Sequence, residues 1–385
     1  MTLPTPDAEA LAYSVALTHR LVAEVGKAGG WVGFDRFMDL ALYAPGMGYY
    51  SGGARKFGAA GDFVTAPELS SAFSQTLGAQ AAQILALSAP QVIEVGAGSG
   101  RLAADLLLEL ERRGALPERY AILDLSGELR ARQHATIAER AAHLVDRVAW
   151  LDRLPVRFDG LVLANELLDA MPVHLIAWRS EGICERGVAW QDEQFVWIDR
   201  PAHGRLLERA EALAAEYAIP PGYLSEICLA APAWVSAWAG ILGRGALLLI
   251  DYGFPRREYY HPQRDAGTLM CHYRHYAHGE PFYLPGLQDI TAHVDFTAIV
   301  EAGCAAGLDL LGYTTQATFL FNCGLTEVMA RTPADDPARY LPLANAAQKL
   351  ISPAEMGELF KVIALGKGIA EPLLGFLRGD RSATL

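Results

Sequence analysis

The sequence predicts an α/β fold, a doubly wound sheet with helices on both faces, on three observations. From residue 91 to about 164, apolar β-type runs alternate with helical patterning, as a parallel sheet requires. The run Val92-Ile93-Glu94-Val95 ends in Gly96-Ala97-Gly98-Ser99-Gly100, a glycine-rich strand-to-helix turn. Asp124 then closes the next strand, Tyr120-Ala121-Ile122-Leu123, at the distance provided by one intervening helix, Leu102 to Arg113.

Taken in order, residues from about 8 to 28 read as an amphipathic helix, and the stretch from Trp31 to Tyr43 as a second helical segment. A loop rich in glycine and aromatics follows, to about residue 68. Long ordered loops of this kind are usually functional, so residues 45–68 are expected to act as a lid. Ser70 to Leu87 returns to helical patterning, and strands are expected near 91–95, 120–124, 147–150 and 160–164. After Ala170-Met171-Pro172 the rhythm breaks into short aromatic and β-branched runs, 174–179, 182–190 and 193–200, which predict an inserted antiparallel meander. Helices at about 203–217 and 225–242, a buried strand at 245–251 and two late strands, 308–314 and 360–365, complete the pattern. The expected organisation is an N-terminal helical and lid region (1–90), the first half of the sheet domain (91–172), the insertion (173–243), the second half with a helical insertion (244–370) and a C-terminal tail (371–385).

The glycine spacing indicates the ligand. A dinucleotide fold uses G-x-G-x-x-G after an apolar strand, and an NAD(P)-linked oxidoreductase would carry it. Here the spacing is G-x-G-x-G with Glu94 on the strand, the pattern of class I S-adenosylmethionine (SAM) methyltransferases with a Rossmann-like sheet. SAM has no pyrophosphate, so the turn mainly needs bare backbone close to the ligand. Its ammonium and sulfonium favour a nearby carboxylate, and its ribose hydroxyls want an acceptor such as Asp124.

Composition narrows the partners. The 385 residues are 52% hydrophobic with a formal charge of −12, enough for a packed core and unfavourable for nucleic acid, which demands a basic face. Five cysteines without C-x-x-C spacing read as free thiols in a reducing compartment. The first 20 residues lack a basic n-region, so neither a signal peptide nor a transit peptide is expected. Ile227 to Gly243 is apolar but short and interrupted by Pro232 and Ser236, which reads as a buried helix and not as a membrane span. No metal is expected: the segment from Cys271 to His278 lacks a second ligand cluster. No G-x-S-x-G supports a serine hydrolase.

Ligands of such sheets bind beyond the carboxyl ends of the strands. Asn165 and Glu166 follow the fourth strand and could orient an acceptor nitrogen and hold its proton. Equally, Asn165 could cap a helix with Glu166 and Asp169 in its first turn. Asp251 and Tyr252 follow the next strand, where Asp251 could serve an amine or cap a loop. His293 and Asp295 would share a face and form a proton-transfer pair if extended; if helical, Asp295 is a cap or an exposed acid.

Together these segments resemble the MidA family of SAM-dependent methyltransferases, which includes the mitochondrial complex I assembly factor that methylates an arginine on the quinone-site subunit. The likeness runs from about residue 34 to 368 through Tyr49-Tyr50, residues 61–68, the glycine turn, Leu125-Ser126 with Leu129 and Gln133, residues 165–173, Asp251-Tyr252-Gly253, residues 291–296 and residues 356–362. The family more often has Glu where this chain has Asp124. The resemblance implies protein arginine methylation in a bacterial cytoplasmic member, with a complex I subunit as protein substrate, no membrane insertion and a homodimer left open. It implies cofactor contacts from Glu94, Gly96, Ala97, Gly98, Gly100, Asp124, Leu125, Asp62 and Asn165. Substrate contacts would come from Tyr50, Glu68, Asp251 and Tyr252. Glu166 and Asp169 would grip the guanidinium, while Asn165, His293 and Asp295 orient it or take its proton. The competing expectations are a non-catalytic assembly factor on a SAM fold and a methyltransferase of another acceptor.

Overall fold

A computed structural model describes residues 3–52, 65–124 and 126–385. The chain divides into two compact units. One holds the described residues of Met1–Phe63, Leu168–Ala233 and Phe254–Asp295; the other holds those of Val64–Leu167, Trp234–Gly253 and Phe296–Leu385. The helix Ser71–Leu87, expected with the N-terminal region, therefore belongs with the glycine turn.

The second unit is built on β1 (Gln91–Val95), β2 (Arg119–Leu123), β3 (Val148–Leu151), β4 (Phe158–Asn165), β5 (Leu242–Phe254), β6 (Asp309–Thr315) and β7 (Phe360–Lys367). Their spatial order is β3-β2-β1-β4-β5-β7-β6. The first five run parallel, whereas β7 is antiparallel to both β5 and β6. A dinucleotide fold places β6 directly beside β5; here the reversed β7 separates them. The central strands β4, β5 and β7 have apolar middles because both faces are covered: Leu161 to Ala164, Leu247 to Ile250 and Val362 to Leu365 are buried.

Local chemistry sets the helix starts in this unit. Ser70 Oγ accepts from Ala72 N to open Ser71–Leu87, and Ser126 Oγ accepts from Leu129 N to open Gly127–Arg140, each satisfying one unpaired backbone donor. Between them lies Arg101–Arg112. Because β1 reverses the winding direction between β2 and β4, the loops after β1 and β4 diverge and leave the crevice in which doubly wound sheets bind ligands.

The other unit contains the helices Ala8–Lys27 and Phe34–Tyr43 and the predicted meander as an antiparallel sheet. His174–Arg179 pairs with Gly182–Gln191, which pairs in turn with Gln194–Pro201. The tight turn between the last two has Asp192 and Glu193 both at positive φ, 46° and 59°, the geometry that matches strand twist in two-residue hairpins. One expectation is corrected here. Residues 225–242 are not one helix: Leu224–Ile227 is a further strand paired with His174–Arg179, and the helix runs Ala230–Ile241. Pro232 lacks an N–H and is best accommodated in a first turn, which is where the helix start at Ala230 places it. No described helix is long and apolar enough to cross a membrane.

Candidate active site

Gly96, Gly98 and Gly100 all adopt positive φ (69°, 52° and 85°), a conformation that costs other residues about 1–2 kcal/mol each. Two of them are also places of close approach. A Cβ on Gly100 would lie 2.8 Å from Gln133 Cα, and one on Gly96 would lie 2.9 Å from Leu167 Cδ1. Gln133 is fully buried and ties the site together. Its Nε2 donates to Asp124 Oδ2 at 2.7 Å and to Gly98 O at 3.2 Å, while its Oε1 accepts from Trp150 Nε1 at 2.9 Å. Asp124 Oδ1 accepts from Ser126 N at 2.9 Å. These bonds fix the orientation of the Asp124 carboxylate, whose oxygens are acceptors of the kind that ribose hydroxyls need.

Glu94 is buried, with its Oε2 accepting from Tyr120 OH at 2.5 Å. Burial pushes its carboxyl up to about 7, against the Tyr120 hydrogen bond and with help from Asp124. Glu68, expected at the substrate, is placed against the glycine turn: Ser99 Oγ donates to its Oε1, and Arg101 Nη1 donates to its backbone oxygen at 3.1 Å.

At the end of β4 no helix follows Asn165, so the capping alternative falls. Glu166 instead sits at φ 51°, a strained left-handed position of the kind that clusters at functional sites. It is held by its own N–H, which donates to Ile250 O at 2.8 Å. Its Oε1 accepts from Ala66 N at 3.2 Å and from Asn165 Nδ2 at 3.1 Å. With its amide committed there, Asn165 Oδ1 is buried and has no hydrogen-bond partner among the described residues. Asp251 accepts from the backbone with both oxygens, Oδ2 from Leu167 N at 3.1 Å and Oδ1 from Tyr252 N at 2.9 Å. These contacts match the loop-capping geometry. The Tyr252 ring packs on Phe360, centroids 5.3 Å apart.

Bare glycine backbone and an oriented carboxylate one strand over together fit a SAM site. Comparison with known proteins agrees. Residues 75–314 match a family model described as "putative S-adenosyl-L-methionine-dependent methyltransferase". The chain belongs to this family. A solved protein of Burkholderia thailandensis, bound to S-adenosyl-homocysteine, is 56% identical over 100% of both chains with a TM-score of 0.96. A protein of Danio rerio named "Protein arginine methyltransferase NDUFAF7, mitochondrial" is 27% identical, covering 88% of this chain and 84% of its own. The Mus musculus protein of the same name is 29% identical, with 88% and 82% covered.

As a SAM-dependent methyltransferase, the chain keeps Glu94, Gly96, Ala97, Gly98, Gly100, Asp124, Glu68, Asn165, Glu166, Asp251 and Tyr252 in its sheet unit. Tyr50, Asp169, His293 and Asp295 lie in the other unit. There Tyr50 OH donates to Asp289 Oδ2 at 2.9 Å and its ring stacks on Tyr43 at 5.5 Å; burial and Asp289 hold its phenol well above the usual range. Asp169 is buried and its backbone oxygen accepts from Ala292 N at 2.9 Å. His293 lies flat on Phe254, centroids 5.2 Å apart, and Asp295 Oδ2 accepts from Arg256 Nε at 3.1 Å. Asp295 ends a two-residue strand, and the helix begins at Phe296. Asp62 and Leu125 lie outside the described residues. Gln133, Asp289 and Ser99 gain their partners only in the fold. Gln133 appeared only among the family segments, and an isolated glutamine on a helix carries no signal until the fold brings Asp124 and Gly98 to it.

Proposed function

We propose that this methyltransferase transfers a methyl group to an arginine side-chain nitrogen of a protein, a subunit of respiratory complex I during its assembly in the bacterial cytoplasm. The observation that carries the reading is Asn165 Oδ1, a buried acceptor without a hydrogen-bond partner among the described residues, beside the Glu166 carboxylate at the end of β4. A buried acceptor left unmade costs about 1–3 kcal/mol, and an incoming N–H removes that cost. The names of the curated relatives support arginine as the source of that N–H.

SAM, when bound, supplies a methyl group activated by its sulfonium. A guanidinium is protonated and a poor nucleophile, so the protein must orient one nitrogen and stabilise loss of its proton. Asn165 Oδ1 accepts one N–H and fixes the nitrogen in line with the methyl; proximity of this kind supplies much of the rate. Glu166 faces the guanidinium charge and takes the proton displaced as the N–C bond forms and the S–C bond breaks. Incubation with labelled SAM and lysate from cells lacking the protein tests the reading. Label on arginine of one polypeptide is expected; label on RNA or on a small metabolite defeats it.

A further inference from the structure

Outside the methyl-transfer residues, one set of metal-ligating side chains converges among the described residues: Asp35, His174 and Glu185, whose donor atoms all lie within 4.8 Å of one another. They come from three pieces of one unit. Asp35 is in the first turn of Phe34–Tyr43, His174 opens the strand His174–Arg179, and Glu185 lies on the paired strand Gly182–Gln191. His174 Nδ1 is 2.8 Å from Glu185 Oε1 and 3.5 Å from Asp35 Oδ1.

Charge and space both favour a cation there. A single imidazole faces two carboxylates, and among the described residues no lysine or arginine forms an ion pair with Asp35 or Glu185. The arginines next to them in sequence are engaged elsewhere, Arg36 with Glu24 and Asp39, Arg186 with Asp199. Even a protonated His174 leaves the group one negative charge in excess. The side chains keep 34%, 19% and 18% exposure for Asp35, His174 and Glu185, so an ion can reach them. Gly33 supplies the space: a Cβ on it would lie 2.4 Å from Asp35 Oδ1 and 2.7 Å from Glu185 Oε1. The two oxygens meet over bare backbone that no other residue type leaves open.

We propose that Asp35, His174 and Glu185 bind a divalent transition-metal cation of the Zn²⁺ class, which pins the helix Phe34–Tyr43 to the antiparallel sheet. Imidazole and carboxylate donors suit this class. Bond lengths of about 2.0–2.2 Å in a tetrahedral site place donors about 3.3–3.6 Å apart; His174 and Asp35 already stand at 3.5 Å, and His174 and Glu185, at 2.8 Å, separate slightly to admit the ion. The ion takes the place of the proton between the ring and the carboxylates, and water completes the shell.

The test is titration of ZnCl₂ into the chelator-dialysed full-length protein by calorimetry, with Co²⁺ absorption as a direct report on ligand geometry. Saturable one-to-one binding, a tetrahedral Co²⁺ band and a raised Tm are expected. His174→Ala, Glu185→Gln and Gly33→Ala should each weaken binding by more than about tenfold, the loss seen even for outer-shell partners. The two milder variants, Glu185→Gln and Gly33→Ala, serve if His174→Ala does not fold. Absence of saturable binding, or equal affinity in wild type and variants, overturns the proposal and leaves an ion triad only. SAM binding and methyl transfer are separate readouts, so the outcome does not depend on the acceptor.

Discussion

Asp251 Oδ2 accepts a hydrogen bond from Leu167 N at 3.1 Å, joining the end of β5 to the turn after β4. Leu167 follows the strained Glu166, and its Cδ1 fills the space over Gly96. One carboxylate thus positions Glu166 and, through Leu167, the floor of the glycine turn.

Asp251→Asn keeps an acceptor but loses its charge, and hydrogen bonds to charged groups contribute about 1.5–3 kcal/mol. The variant should unfold at lower denaturant, transfer methyl more slowly and bind SAM more weakly. Denaturation, calorimetry and label incorporation together check this; unaltered transfer would show that the turn holds itself.

Glu166→Gln should abolish transfer while leaving SAM affinity nearly unchanged; loss of SAM binding would place Glu166 at the cofactor. Strain can be read separately. Glu166→Gly should be more stable than Glu166→Ala by about 1–2 kcal/mol, because only glycine adopts a φ of 51° at no steric cost.

Gly100→Ala combines a disfavoured φ with a Cβ 2.8 Å from Gln133 Cα. Displacing Gln133 also releases Asp124 and Gly98, so SAM binding should fall below detection by calorimetry while the fold survives at a cost of at least about 1–2 kcal/mol.

Glu94 gives a pH dependence whose sign follows from its carboxyl being raised from 4.5 to about 7. The folded state holds the proton where the unfolded state has lost it, so stability falls as pH rises from about 4.5 to 7. Glu94→Gln, neutral throughout and still able to accept from Tyr120, should lack that slope and exceed wild type in stability at pH 8. Urea midpoints between pH 5 and 8 measure it; parallel curves for the two proteins would contradict the buried, protonated state.

Much of the fold was legible because its determinants are local. Strand alternation, Ser70 and Ser126 at helix starts, and aromatic meander runs all report on a few neighbouring residues. The errors occurred where tertiary pairing overrode local pattern, as at Leu224–Ile227, whose apolar run fits a helix until His174–Arg179 offers it a strand partner. In the candidate site, the glycine turn was legible for the same reason, whereas the destinations of the acids were not.

By itself the sequence determined a doubly wound sheet with a glycine-rich turn after its first strand, because glycine tolerance of positive φ and the reach from one strand end to the next are properties of short segments. Only the tertiary structure decided what each carboxylate does: Asp251 braces Leu167, Asp295 receives Arg256, Glu68 receives Ser99 and Glu94 receives Tyr120. Hydrogen bonds act only within about 3 Å, and which donor stands that close to a carboxylate depends on how distant segments pack.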